Sequence, residues 1–184
     1  MIPKLPFPAL VLFLLLAGCR ASGPGTPSRT VSSFFSKYEG REGFKTTDWS
    51  ADLLQRLALV KAAKFLGGSD LTNAITGIRS AKVISFAPTT TSAKELASQG
   101  LRSEATGILQ NNKYAPLTTA GFGGGNYAVS TRGSGNNISE FAALGSLSDV
   151  ADSFVLVSVQ GNFTSSQVAA LSKYLPQIVQ ATSK

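Results

Sequence analysis

The chain contains no histidine, a single cysteine and a single tryptophan. The missing imidazole removes the commonest general base and the commonest metal ligand. One thiol alone builds no disulfide framework, and with no histidine beside it a zinc site would have to rest on carboxylates. No metal and no cofactor is therefore expected. Acidic residues are also few: ten, against 17 Lys and Arg, for a formal net charge of +7. The basic residues are scattered from Arg20 to Lys184 with no run of four. That pattern lacks the basic stripe of a nucleic-acid binder, so no nucleic-acid partner is expected. The excess reads as a solubility feature with weak attraction to anionic headgroups.

What the chain does have begins with its first 18 residues. Lys4 supplies a positive start, and every residue from Phe7 to Ala17 is apolar, counting Pro8. This run falls short of the ~20 residues that span a bilayer and has the length of a secretory core. It ends in Leu16-Ala17-Gly18-Cys19, which resembles the lipobox of bacterial lipoproteins. The resemblance implies diacylglycerol on the Cys19 sulfur, cleavage between Gly18 and Cys19, and an acyl chain such as palmitate on the new amino terminus. Two or three acyl chains anchor durably where one holds only marginally, at ~0.8 kcal/mol per buried methylene. The expected organisation is a signal peptide over 1–18, a lipidated tether over 19–33 and one domain over 34–184. The tether reading rests on the Gly, Pro, Ser and Thr of RASGPGTPSRTVSS, Arg20 to Ser33. The mature chain would hold 16 basic and ten acidic residues, since Lys4 leaves with the leader.

Within the domain, periodicity and turn chemistry predict a short helix before Gly40 and a strand over Gly43–Thr47. A Ser50-capped amphipathic helix over Ala51–Leu66, a short turn from Asp70 to Ile75 and a strand over Ser80–Ala87 follow. Ser92 and Glu95 fit a capping box at the start of one helix running past Gly100 and Gly107 to Asn111-Asn112. Four strand-forming segments come next, the first three separated by GGGN and GSGNN, which predicts an antiparallel meander. The most apolar, Ser153–Gln160, is expected at the centre, and Thr164 caps a final helix disturbed by Pro176. The fold class is α+β: a mostly antiparallel sheet with a β-meander in the C-terminal half and helices mainly on one face.

The stretch FFSKYEGREGFKTTDWSADLL (Phe34–Leu54), a later segment with Lys113, Tyr114 and Leu117, and SFVLVSVQGNF (Ser153–Phe163) carry a family resemblance. In the order of these elements the chain resembles small Bacteroidetes-type envelope lipoproteins, the domain-of-unknown-function family 4252, from Phe34 to Leu175. That resemblance implies an α+β envelope lipoprotein and a regulatory or binding role in envelope signalling, with no catalytic residues to carry over. The Gly-rich stretch Gly121–Asn126 departs from the family, where charged residues are common.

The remaining candidates are sparse. Gly121–Asn126 lies between two expected strands with no Gly-Lys-Ser/Thr after it, so it reads as a hairpin loop rather than a phosphate cradle. Glu39 and Glu42 could form a carboxylate pair but are expected on a solvated turn beside Lys37 and Arg41. Asp149 and Asp152 are expected to flank a strand start and deter edge pairing. Phe44 and Trp49 could make an exposed platform, although packing is the commoner use of such side chains. The expected function is a lipid-anchored, non-enzymatic module that binds an envelope protein or maintains the envelope. It would sit on the outer membrane facing the periplasm. The alternatives are a carrier of a lipid or apolar ligand, or a hydrolase using Ser–Lys or paired carboxylates.

Overall fold

A computed structural model describes residues 25–49, 68–117 and 126–183. Helix α1 (Val31–Tyr38) leads to strand β1 (Phe44–Trp49), then α2 (Gly68–Gly77) and β2 (Ile78–Phe86). Two helices follow, α3 (Thr91–Ser98) and α4 (Leu101–Asn111). Four strands come next: β3 (Ala115–Pro116), β4 (Ala128–Ser134), β5 (Asn137–Gly145) and β6 (Phe154–Phe163). The chain closes with α5 (Ser165–Ser172) and α6 (Leu175–Ser183). The expected helix over Ala51–Leu66 and most of the Gly121–Asn126 loop lie outside the described residues.

The strands form one antiparallel sheet in the order β1-β2-β6-β5-β4-β3. The α+β class and the meander from β3 to β6 follow the sequence. The placement of the helices does not: they cover both faces. Against one face α2, α5 and α6 bring Leu71, Ala74, Val168, Leu171 and Leu175 onto Val83, Phe141, Val155 and Val157. Against the other, α1, α3 and α4 bring Phe34, Tyr38, Ala93, Leu101 and Ile108 onto Ile84, Leu144, Phe154 and Leu156. The physical reason is legible in β6, whose residues Phe154 to Ser158 are all buried. Burial on both sides needs an unbroken apolar run rather than alternation, and FVLV supplies one. Full burial of each such side chain contributes about 1.5–3 kcal/mol.

Local chemistry places several boundaries. Thr30 caps α1 in a reciprocal pair with Ser33, so the helix begins at Val31, ahead of Phe34. Thr164 and Gln167 make the same motif at α5. Thr90, rather than Ser92, caps α3, accepting from the Ala93 N–H at 3.2 Å. The single helix expected past Gly100 is two, because Gly100 takes φ +84, a left-handed conformation that favours glycine and breaks the hydrogen-bond ladder. Pro176 lies near the start of α6, where a missing N–H costs little, so the C-terminal helix is also divided. In β5 the register slips between Ile138 and Glu140. Ile138 consequently joins the α5–α6 face, while Glu140 lies on the face that carries α1 and α4.

Candidate binding loop and its surroundings

Three polar arrangements stand out, each positioned by the α4 face of the sheet. The first surrounds Glu104. In α4 the apolar stripe Leu101, Ala105, Ile108 turns a fourth position, Glu104, toward the core, where it is 7% exposed. Its carboxylate accepts from Tyr38 Oη at 2.6 Å, Lys37 Nζ at 3.0 and 3.1 Å, and the Ser28 backbone N–H at 2.7 Å. Burial works to raise its pKa, but the hydrogen bonds from Tyr38, Ser28 and Lys37 outweigh it and hold the carboxyl below the ordinary glutamate value. Burial, then the Glu104 carboxylate, push the Tyr38 hydroxyl far above the usual phenol range. Lys37 Nζ also donates to Thr26 O at 3.0 Å, and Asn112 Nδ2 to Arg29 O at 2.7 Å. Residues 26 to 29, expected in the tether, are thus tied to the domain.

The second surrounds Glu140. Asp48, Lys82 and Ser158 are register partners across β1, β2 and β6, and Arg132 faces Glu140 across β4 and β5. Ser158 Oγ donates to Glu140 Oε1 at 3.0 Å and Arg132 Nη1 to Oε2 at 3.3 Å. The Arg132 guanidinium also lies 5.8 Å from the Tyr114 ring centroid. Burial and then the hydrogen bond to Glu140 raise the Tyr114 hydroxyl above its ordinary pKa. Lys82 pairs with Asp48 at 3.2 Å. In this row the serine that sits beside a lysine in register has its hydroxyl committed to Glu140, and the lysine its ammonium to Asp48.

The third is the β5–β6 loop, Ser146 to Ser153. Ser153 Oγ, in a 1% exposed residue, donates to Val150 O at 2.6 Å and accepts from the Leu147 N–H at 3.1 Å. Arg102, in the first turn of α4, donates to Ser146 Oγ at 2.8 Å and Ser153 O at 3.2 Å. These bonds hold Asp149 at φ +63 and Asp152 at φ +56. A left-handed aspartate is tolerated better than most side chains, yet two in four residues is a strained turn. They correct the expectation of an edge-guarding role: the strand they precede, β6, is interior to the sheet. Between them stands Val150, 37% exposed, the one exposed large apolar side chain among the described residues. Grooves of about 410 and 490 Å³ flank it. One runs toward Tyr127, Pro176 and Gln180, the other toward Pro88, Lys94 and Ser98. Both exceed the apolar cavity of about 30 Å³ under α2 and α6, which is far below the ~300 Å³ of a small-molecule site.

The other sequence candidates scatter. Gly18 and Cys19 lie outside the described residues. Glu39 and Glu42 are exposed as expected, but Lys37 turns to Glu104 and Arg41 lies over the Tyr38 ring at 5.5 Å. Phe44, half-buried, stacks on Tyr38 and packs against Phe86, both at 4.7 Å, at the margin of the core. Among the described residues no group of three or more His, Cys, Asp or Glu could hold a metal ion. No helix among them is long and apolar enough to cross a membrane. Glu104, Glu140 and Val150 were missed by the sequence reading. The two glutamates had a signal: each is a charge at a position whose helical or strand register otherwise faces the core. Val150 had none.

Neither a curated protein nor a solved structure matches the chain. A family model does, over residues 38–171, from Tyr38 through to the α5 residue Leu171. That match takes in all six of the described strands and more than half of the sequence, and the chain belongs to the family described as Domain of unknown function (DUF4252).

Proposed function

We propose that this protein is a lipid-anchored bacterial envelope module without catalytic activity, and that it binds a protein partner through the β5–β6 loop. The anchor is Cys19, acylated after cleavage at Gly18, and the location is the periplasmic face of the outer membrane. Support for the anchor is the apolar run ending in Leu-Ala-Gly-Cys. The observation that carries the binding role is the loop itself. Buried hydrogen bonds and two left-handed aspartates hold one apolar side chain out between two grooves. Leu147 packs the start of the loop against the core, but the two left-handed aspartates cost stability at a tip that lies outside both core clusters, which is how a recognition element differs from a connection.

The test is in-cell crosslinking of the full chain compared with Val150→Asp. The substitution is expected to abolish capture of the partner that the parent chain captures. Stability to denaturant should stay within ~0.5 kcal/mol, since Val150 lies outside both core clusters. Undiminished capture of the same partner by Val150→Asp would overturn the loop assignment. For the anchor, fractionation beside Cys19→Ala is decisive: the variant should leave the membrane, and persistence there would remove the anchor.

A further inference from the structure

The first turn of α4 holds two things at once. Arg102 pins the β5–β6 loop, and two residues on Glu104 pins the incoming N-terminal segment through Ser28 and Lys37. Among the described residues the outermost tie of that segment is Thr26, whose carbonyl accepts from Lys37 Nζ. Only six residues, Arg20 to Gly25, lie between Thr26 and Cys19. At full extension they let Thr26 stand no more than ~25 Å from the Cys19 Cα. A domain of this size is roughly 40 Å across. The leash is therefore shorter than the body it holds, and the pole where Thr26 is fixed cannot turn away from the bilayer.

We propose that the Glu104 latch holds the β5–β6 loop at the membrane surface, where its partner is the juxtamembrane segment of an integral membrane protein. This rests on the Cys19 anchor and the loop reading above. The chemistry of the loop selects that partner over the lipid itself. Asp149 and Asp152 flank Val150 beside Lys94 and Arg102, so the tip offers an anionic headgroup layer no net positive charge, whereas Lys or Arg beside an apolar residue meets both aspartates. The opposite end of β5 carries the exposed β4–β5 turn at Ser134, about 30 Å away along the strand.

The experiment uses the full lipidated chain in phosphatidylethanolamine–phosphatidylglycerol vesicles containing headgroup-labelled acceptor lipid. A donor dye is placed on Ser148→Cys or on Ser134→Cys; with Cys19 acylated, each is the one free thiol. Transfer to the headgroups should be strong from position 148 and weak from position 134. Glu104→Ala combined with Lys37→Met should free residues 26–28, leaving Arg29 on Asn112, and weaken that contrast. A flexible Gly-Ser insert after Gly23 should do the same without touching the folded body. Equal transfer from both positions in chains that sediment with vesicles overturns the orientation. Quenching of the 148 dye by acyl-chain quenchers overturns the protein partner in favour of lipid insertion. Failure to sediment overturns the anchor, and the orientation with it.

Discussion

Two buried glutamates on the same side of the sheet, Glu104 and Glu140, have the same company: a tyrosine, a basic side chain and a short donor. They differ in where those partners come from. Glu104 gathers Ser28, Tyr38 and Lys37 from chain segments 66 to 76 positions away. Its side chain is 2% exposed and that of Lys37 20%. Glu140 draws Arg132 and Ser158 from strands already paired with its own, with Tyr114 alone from outside them, and Arg132 is 49% exposed to water. The same chemical group thus acts as a clasp between remote segments in one place and as a local filler of a sheet face in the other. A charge is worth more to a fold where it joins what would otherwise come apart and where water cannot compete.

The comparison can be broken by substitution. Glu104→Gln should cost about 3 kcal/mol in denaturant unfolding, because Lys37 loses its counter-charge in a largely dry site. It should also accelerate hydrogen exchange at the Ser28 amide. A smaller loss at Glu104 than at Glu140 would reverse the ranking.

Acid sharpens it next. The Glu104 carboxyl titrates below its unfolded value of about 4.3, so its contribution is whole above that pH and disappears as pH falls through the lowered folded value. Unfolding followed from pH 6 down to pH 2 should show a steep loss of stability in the parent chain that is shallower in Glu104→Gln. At the alkaline end Tyr38 works in the opposite sense. Its raised pKa gives stability that is intact below about pH 10 and declines above it, as the unfolded chain ionises first.

The smallest effect is expected at the sheet-face pair: Glu140→Gln keeps the shape and an acceptor for Ser158, and should cost about 1 kcal/mol by thermal or denaturant unfolding.

How far the sequence went is visible in particular residues. The α+β class, the meander and the caps at Thr164 and Asn112 came from local signals that the tertiary structure leaves intact. Helix placement did not, since periodicity tells which side of an element is apolar but not which face of a sheet it will meet. FVLV in β6 carries the mark of two covered faces, but an apolar run marks a central strand equally well. The break at Gly100 was readable as a weak point, yet its left-handed conformation depends on how α3 and α4 pack. The loop around Val150 was the least legible. Nothing in SLSDVADS distinguishes a solvated connection from a rigid one until the Ser153 hydroxyl is seen to stitch it together.

Strand β2 has β1 on one side and β6 on the other, and its Val83 faces Val157, a residue synthesised 74 positions later. The N-terminal half therefore owns a hairpin-like pair with no partner for its inner edge until nearly the whole polypeptide exists. Maturation is all-or-nothing: a product ending before Phe154 would lack α5 and α6 and expose β2, α2 and the α1–α3–α4 layer at once, and should be found only as aggregate or as protease fragments.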